Sequence, residues 1–245
     1  MKCLLVSLLA LASTIAGAEP VQVAVSANFS SPLKQLVQRY HQQYPRADIQ
    51  ITVGSTCKLA AQIRQGAPYD IFLAADARRP QELASEGWIQ AGTVRTYAIG
   101  RLVLWAPDAG AVLDGSSLVA GMVTPVAMAN ARTAPYGEAA EAVLQQFPLP
   151  DSVTLVQAEN VAQSYHFAHT GAAEAAFVGL SQVQDQGGRQ WRIPDALYPL
   201  IRQQGGVLRG MPAAQHFYDF LFSGEAQEMI RSLGYRTDEV ADDVE

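Results

Sequence analysis

Strands and helices alternate through the first third of this chain, and this alternation constrains the fold more than any other feature. Residues 21–25, 48–53 and 70–75 have the apolar and β-branched content of strands, and each run precedes a helical pattern. Parallel strands need a crossover between them, and a helix is the usual one. The order therefore predicts an α/β fold with mainly parallel strands flanked by helices.

The starts of two of these helices have recognisable capping residues. Ser30 or Ser31 is predicted to cap the first helix, with Pro32 at the first helical position. Asp76 is predicted to cap the helix over residues 78–85.

A second alternation follows one long extended stretch over residues 96–107, which is long enough to cross between two lobes. Strands are predicted over residues 123–129, 154–157 and 175–179, and a return strand over 197–208 is predicted to break at Gly205-Gly206. Two α/β halves joined by crossings indicate two lobes with a ligand between them. The predicted lobes are 19–98 plus 200–236, and 99–199.

The two ends of the chain are predicted to lie outside this core. Residues 1–18 have a basic start, a short apolar run and a small-residue cleavage pattern ending at Ala18, as in a secretory signal peptide. Residues 237–245 are acidic and are predicted to be a disordered tail. Cleavage would leave Cys57 as the single cysteine, so no intramolecular disulfide is expected.

Charge excludes two classes of partner. Cleavage would remove Lys2, one of 17 basic residues, and none of the 23 acidic ones, so the mature chain would carry a net charge of −7. Nucleic acids and anionic membrane surfaces are therefore not expected as partners. A small anion would have to be held by local amides and hydroxyls.

Four strand-to-helix turns form the candidate site, namely residues 27–30, 54–57, 134–137 and 159–161. The first N–H groups of a helix have no partner and carry partial positive charge, which suits an anion. Asn28, Thr56 and Tyr136 add side-chain donors. Neutral donors in both halves favour a fully ionised oxyanion, which has only acceptors. Four ordinary capped turns remain the alternative.

The chain resembles the periplasmic molybdate-binding proteins, the type II solute-binding components of ABC transporters. The resemblance includes the run Gly54-Ser55-Thr56-Cys57-Lys58-Leu59 and extends over nearly the whole chain after the signal. The matching segments are residues 23–29, 54–63, 66–76, 97–105, 134–137 and 159–183.

The resemblance implies a two-lobed periplasmic-binding-protein fold with its ligand in the interlobe cleft. It implies a periplasmic monomer that captures molybdate, and also tungstate, and delivers it to an ABC permease with its cytoplasmic ATPase. No catalysis, no resident cofactor and no cation site are then expected, since molybdate would be held through its oxygens.

The resemblance also assigns ligand roles. Asn28 and Thr56 stand where the family uses backbone and side-chain donors, and Tyr136 and Val161 stand where it uses N–H groups of the second lobe. Some relatives place a ligating tyrosine near the position of Gly179, and here the Tyr136 hydroxyl is expected to replace it.

Two departures leave other ligands and functions open. Cys57 replaces a small residue, where it could narrow the pocket or point away, and Thr56 replaces a serine, so sulfate or chromate is an alternative anion. A secreted hydrolase or transferase using Cys57, and the effector domain of a transcription regulator, are alternatives from other classes. His166 and His169 could form a metal-binding face but favour an exposed helix surface. Glu159 is expected to turn outward or to bind backbone at the helix start.

Overall fold

A computed structural model of the chain describes residues 19–108, 110 and 113–237. The predicted signal peptide and residues 238–245 of the predicted tail lie outside the described residues. Thr237, the first residue of the predicted tail, is described: it is 2% exposed, and its hydroxyl accepts a hydrogen bond from Arg231. No helix in the described part of the chain has the length and apolar content needed to cross a membrane.

The strands of this part of the chain form two sheets. In chain order they are β1 Val21–Ser26, β2 Ile49–Gly54, β3 Ile71–Leu73, β4 Arg95–Gly100, β5 Leu102–Ala106, β6 Val126–Ala129, β7 Leu155–Ala158, β8 Ala175–Gly179, β9 Arg189–Arg192 and β10 Ile201–Val207.

Helices cover both sheets, and two short 3-10 helices, Ala27–Phe29 and Asp195–Leu197, lie in connections. The α-helices are α1 Ser30–Gln43, α2 Thr56–Arg64, α3 Arg78–Ser85, α4 Gly115–Val119, α5 Pro135–Gln146, α6 Val161–His169, α7 Leu180–Val183, α8 Pro212–Phe220 and α9 Gly224–Ser232.

Each sheet is the centre of one lobe, and the two sheets have the same plan. The order is β2-β1-β3-β10-β4 in lobe 1 and β7-β6-β8-β5-β9 in lobe 2. In each sheet the first three strands of this order pair in parallel, and the fourth strand pairs antiparallel with both of its neighbours. The predicted α/β class and two-lobed architecture are confirmed, with mixed sheets flanked by helices. The predicted lobe boundaries stay a prediction.

Burial explains why the sequence pattern indicated these elements. Leu33, Leu36, Val37 and Tyr40 recur at helical spacing on α1, and all four pack into the core of lobe 1. In lobe 2, β5 and β8 are buried along their whole length, as expected for strands covered on both faces.

The long extended stretch does cross between the lobes, as a pair of strands in different sheets. β4 ends at Gly100 and β5 begins at Leu102, so Arg101 alone separates lobe 1 from lobe 2. The return crossing runs from β9 to β10.

The predicted break at Gly205-Gly206 is wrong, because β10 continues through both glycines. A Cβ on Gly205 would lie 2.7 Å from the Phe72 carbonyl oxygen, and one on Gly206 would lie 2.5 Å from Ile89 Cγ2. The glycines therefore allow close packing around a continuous strand. The irregularity of β10 is instead a register shift between Gln203 and Gln204.

The predicted caps had different outcomes. The N-cap residue of α3 is Ala77 and not the predicted Asp76, but Asp76, one residue earlier, accepts a hydrogen bond from the Arg79 N–H at 2.8 Å in the first turn. The predicted cap at Ser30 or Ser31 is wrong, since α1 has no side-chain cap and the Ser30 hydroxyl donates back to the Ala27 carbonyl.

Candidate anion-binding site

One small cavity lies where the four predicted turns meet between the lobes. Asn28 and Thr56 line it from lobe 1, and Tyr136 and Val161 line it from lobe 2. The space among its lining residues, including space open to solvent, is about 210 Å³. No charged side chain lines it. The cavity therefore suits a small ligand held by neutral groups.

A pair of hydroxyls forms the lobe 1 wall. Ser26 Oγ and Thr56 Oγ1 lie 2.6 Å apart, and both accept the Ala75 N–H, at 3.0 and 3.1 Å. One hydroxyl proton is used between the two oxygens. The other remains available to a ligand in the cavity, because each hydroxyl carries one proton.

Ser55 offers a further donor beside this pair. It precedes α2 but makes no capping hydrogen bond, and its hydroxyl is buried without a partner among the described residues. A buried hydroxyl without a partner carries a desolvation cost, which a bound acceptor would remove. Ser55 also lines the cavity.

Lobe 2 contributes two backbone N–H groups at helix starts. Proline has no N–H, so Tyr136 carries the first N–H group of α5. At α6, the Asn160 side chain accepts from the N–H groups of Ala162 and Gln163, at 3.0 and 3.1 Å. This cap leaves the Val161 N–H without an intrahelical acceptor.

Hydrogen bonds within the protein fix the position of the Asn28 side chain. Its amide nitrogen donates to Gln203 Oε1 at 2.8 Å and to the Tyr235 hydroxyl at 3.2 Å. Both amide protons are therefore used within the protein. The Asn28 backbone N–H, near the start of the 3-10 helix, is the donor that this residue can offer to a ligand.

Gln203 joins the two lobes behind the cavity. This fully buried residue accepts from Asn28, and its Nε2 donates to the Tyr136 hydroxyl at 3.3 Å. The Tyr136 hydroxyl proton has no acceptor in the described part of the chain. Burial raises the pKa of Tyr136 well above its usual value, so its hydroxyl stays protonated and can donate.

Cys57 lies outside the cavity and in the seam between the lobes. Its N–H donates to the Thr133 carbonyl at 3.3 Å, and its thiol donates to the Arg132 carbonyl at 3.6 Å. Arg79 Nη2 donates to Cys57 Sγ at 2.8 Å, and Asp76 holds the same guanidinium. Among the described residues, the hydrogen-bond partners of the thiol are the Arg132 carbonyl and the Arg79 guanidinium.

Glu159 turns outward, as expected from its position beside the proposed anion. Its carboxylate pairs with Lys58 Nζ of lobe 1 at 2.9 Å, and both side chains are about half exposed.

His166, His169 and Asp70 do not line the cavity. His166 and His169 are exposed on α6, and no group of three or more His, Cys, Asp or Glu within the described ranges could hold a metal ion. Asp70 is fully buried, its Oδ1 pairs with Arg209 at 2.9 Å, and its Oδ2 accepts the Gln22 N–H at 2.7 Å.

Three comparisons relate the chain to known proteins. The family described as bacterial extracellular solute-binding protein matches residues 21–236. The molybdate-binding protein ModA of Azotobacter vinelandii is 40% identical over 230 residues, which cover 90% of this chain and 91% of that protein. The molybdate-binding protein ModA of Rhodobacter capsulatus is 37% identical, with 91% of this chain and 90% of that protein covered.

A solved structure has the same fold. The periplasmic molybdate-binding protein of Azotobacter vinelandii superposes with a TM-score of 0.84 and 31% sequence identity. The superposition covers 89% of this chain and 99% of that structure.

Proposed function

The chain belongs to the family of bacterial extracellular solute-binding proteins, and on that premise we propose that it captures molybdate and tungstate between its two lobes. The proposed ligands are Asn28, Thr56, Tyr136 and Val161, with hydroxyl support from Ser26 and Ser55. The anion is the cargo of a transport system, and the protein uses no resident cofactor and catalyses no reaction.

The observation that carries this proposal is a small cavity lined from both lobes by neutral donors and by no charged side chain. Hydrogen bonds from neutral donors to an ionised acceptor contribute roughly 1.5–3 kcal/mol each, so several of them hold a dianion without a cationic partner. Donors from two lobes also link binding to closure, because the full set assembles only when the lobes meet.

The same donors should also discriminate among tetrahedral anions. Phosphate carries a proton near neutral pH, and that proton needs an acceptor. The backbone N–H groups cannot accept it, so a hydroxyl such as that of Ser55 would have to accept it instead of donating to the anion. Sulfate is a smaller tetrahedron than molybdate, so donors placed for the larger anion are too far apart to contact all of its oxygens. We therefore expect molybdate and tungstate to bind more tightly than sulfate and phosphate.

Isothermal titration calorimetry with molybdate, tungstate, sulfate, chromate and phosphate tests the proposal. The expected result is one site per chain with the first two anions much the tightest. Sulfate or chromate binding as tightly as molybdate would assign the site to another oxyanion.

Delivery to an ABC permease, with a cytoplasmic ATPase supplying energy, is the second part of the proposal. A periplasmic monomer fits that role. Recovery of the mature protein from the periplasm with Glu19 as its first residue would support the location, and retention in the cytoplasm would contradict it.

A further inference from the structure

The first turn of α2 contacts both the cavity and the opposite lobe. Thr56 lines the cavity, whereas Cys57 donates to the Thr133 carbonyl of lobe 2. Lys58 then reaches Glu159 of lobe 2. Thr56 therefore faces the cavity, Cys57 contacts the opposite lobe through its backbone, and Lys58 forms an ion pair with that lobe.

The ion pair lies close to proposed ligands on both sides. Lys58 is two residues after Thr56, and Glu159 is two residues before Val161. Glu159 is a carboxylate near the expected position of a dianion, and like charges at short range repel. Lys58 neutralises that carboxylate when the lobes are together. A separation of the lobes would part Lys58 from Glu159, because they belong to different lobes.

We propose that Lys58 and Glu159 form a latch that holds the clamp closed and sets how long the anion stays bound. This inference rests on the proposed function of the cleft as an anion site. The pair does not touch the cavity, so it acts on the closed state as a whole. Its main effect is on the dissociation rate, since opening must precede release.

The exposure of the pair limits the size of its effect. The side chains are 56% and 49% exposed, and such ion pairs contribute modestly and are screened by salt. We expect Lys58→Gln to raise the anion dissociation rate about two- to fivefold at low ionic strength. The difference from the wild type should shrink as salt is added.

A double-mutant cycle tests the latch directly. Stopped-flow release would be measured for Lys58→Gln, Glu159→Gln, the double variant and the charge-swapped variant Lys58→Glu/Glu159→Lys, with the anion that the wild type binds most tightly. The latch predicts that the double variant releases no faster than the faster single variant and that the charge swap restores slow release.

Arg64→Gln is a matched control on the same helix. Arg64 pairs with Glu86 of lobe 1 at 2.7 Å, and those side chains are 36% and 39% exposed. That pair lies within one lobe, so its loss should leave the dissociation rate unchanged.

The outcomes separate the two proposals. Additive effects of the two single substitutions, or release rates equal to the wild type, overturn the latch while anion binding stands. If none of molybdate, tungstate, sulfate, chromate or phosphate binds the wild type, the proposed function fails and the latch fails with it.

Discussion

The hydroxyl oxygens of Ser26 and Thr56 lie 2.6 Å apart and share one backbone donor, the N–H of Ala75. This arrangement fixes the direction of both hydroxyls without a charged group. It leaves one proton for the cavity, and it holds the end of β1, the start of α2 and the residues after β3 together.

Replacement of Thr56 by valine removes this hydroxyl while keeping the shape of the side chain. We expect Thr56→Val to weaken molybdate binding about ten- to a hundredfold, the scale of a lost hydrogen bond to a charged acceptor. Thr56→Ser, which keeps the hydroxyl, should change the Kd little. Calorimetry on the three proteins measures this, and equal Kd values for the valine variant and the wild type would remove Thr56 from the ligands.

Tyr136→Phe tests the hydroxyl that the second lobe offers. We expect binding to weaken by roughly 1–3 kcal/mol, because a buried acceptor on the anion would lose its donor. Tyr198→Phe is the control, since the Tyr198 hydroxyl also lies in lobe 2 but bonds to Leu102 and Asp195 away from the cavity. An unchanged Kd for Tyr136→Phe would show that the hydroxyl is not a ligand.

Gly137 tests how tightly the start of α5 packs. A Cβ at this position would lie 2.4 Å from the Ala129 carbonyl oxygen, so Gly137→Ala must displace the turn that carries Tyr136. We expect a loss of about 1–3 kcal/mol in stability together with weaker anion binding. Gly224→Ala, where a Cβ meets nothing within 4 Å, should alter neither in a denaturant melt and a titration.

Cys57 should have little influence on selectivity, because its thiol contacts Arg132 and Arg79 and does not line the cavity. We expect Cys57→Ser to keep the order of preference among anions and to change the Kd by less than about fivefold, the scale of one weak hydrogen bond. Tighter binding of sulfate than of molybdate by this variant would show that the thiol contributes to the selectivity of the site.

Buried tyrosines make stability fall in alkali. Burial raises the pKa of Tyr198 to about 12 and raises the pKa of Tyr97, Tyr136, Tyr218 and Tyr235 as well. These groups ionise first in the unfolded chain, near pH 10, so the folded state binds more protons above that pH. The free energy of unfolding should therefore be steady up to about pH 9 and decline from pH 10 to 12. Denaturant melts at several pH values check this, and a rise above pH 10 would contradict it.

Much of the fold followed from the sequence because alternation and burial are local signals. The strands of the first half and the crossing after Thr96 were predicted from apolar runs, and the structure has them. The four strand-to-helix turns predicted from the sequence meet at one cavity, and Asn28, Thr56, Tyr136 and Val161, the last assigned by the resemblance, all line it. Their roles as ligands stay a prediction.

Other parts of the site have no local signal. Gln203 lies 175 residues from Asn28 in the chain, and only the completed sheet of lobe 1 brings them together. Two adjacent glycines such as Gly205 and Gly206 predict a break in a strand, because the packing of Phe72 and Ile89 around them depends on the tertiary structure. Similarly, a serine at a strand end such as Ser26 indicates a turn before it indicates a ligand.

The path of the chain also imposes an order of assembly. In the described sheet of lobe 1, β10 is the strand that pairs with β4, and Ile99 of β4 also forms an isolated bridge with Arg236. Both partners lie beyond all of the strands of lobe 2 in the sequence. Lobe 2 can complete its sheet from one continuous stretch, whereas β4 has no neighbour until residues 201–207 arrive. A chain that emerges from its N-terminus can therefore complete the five-stranded sheet of lobe 1 only after residues 201–207 have emerged, when every strand of lobe 2 is already available.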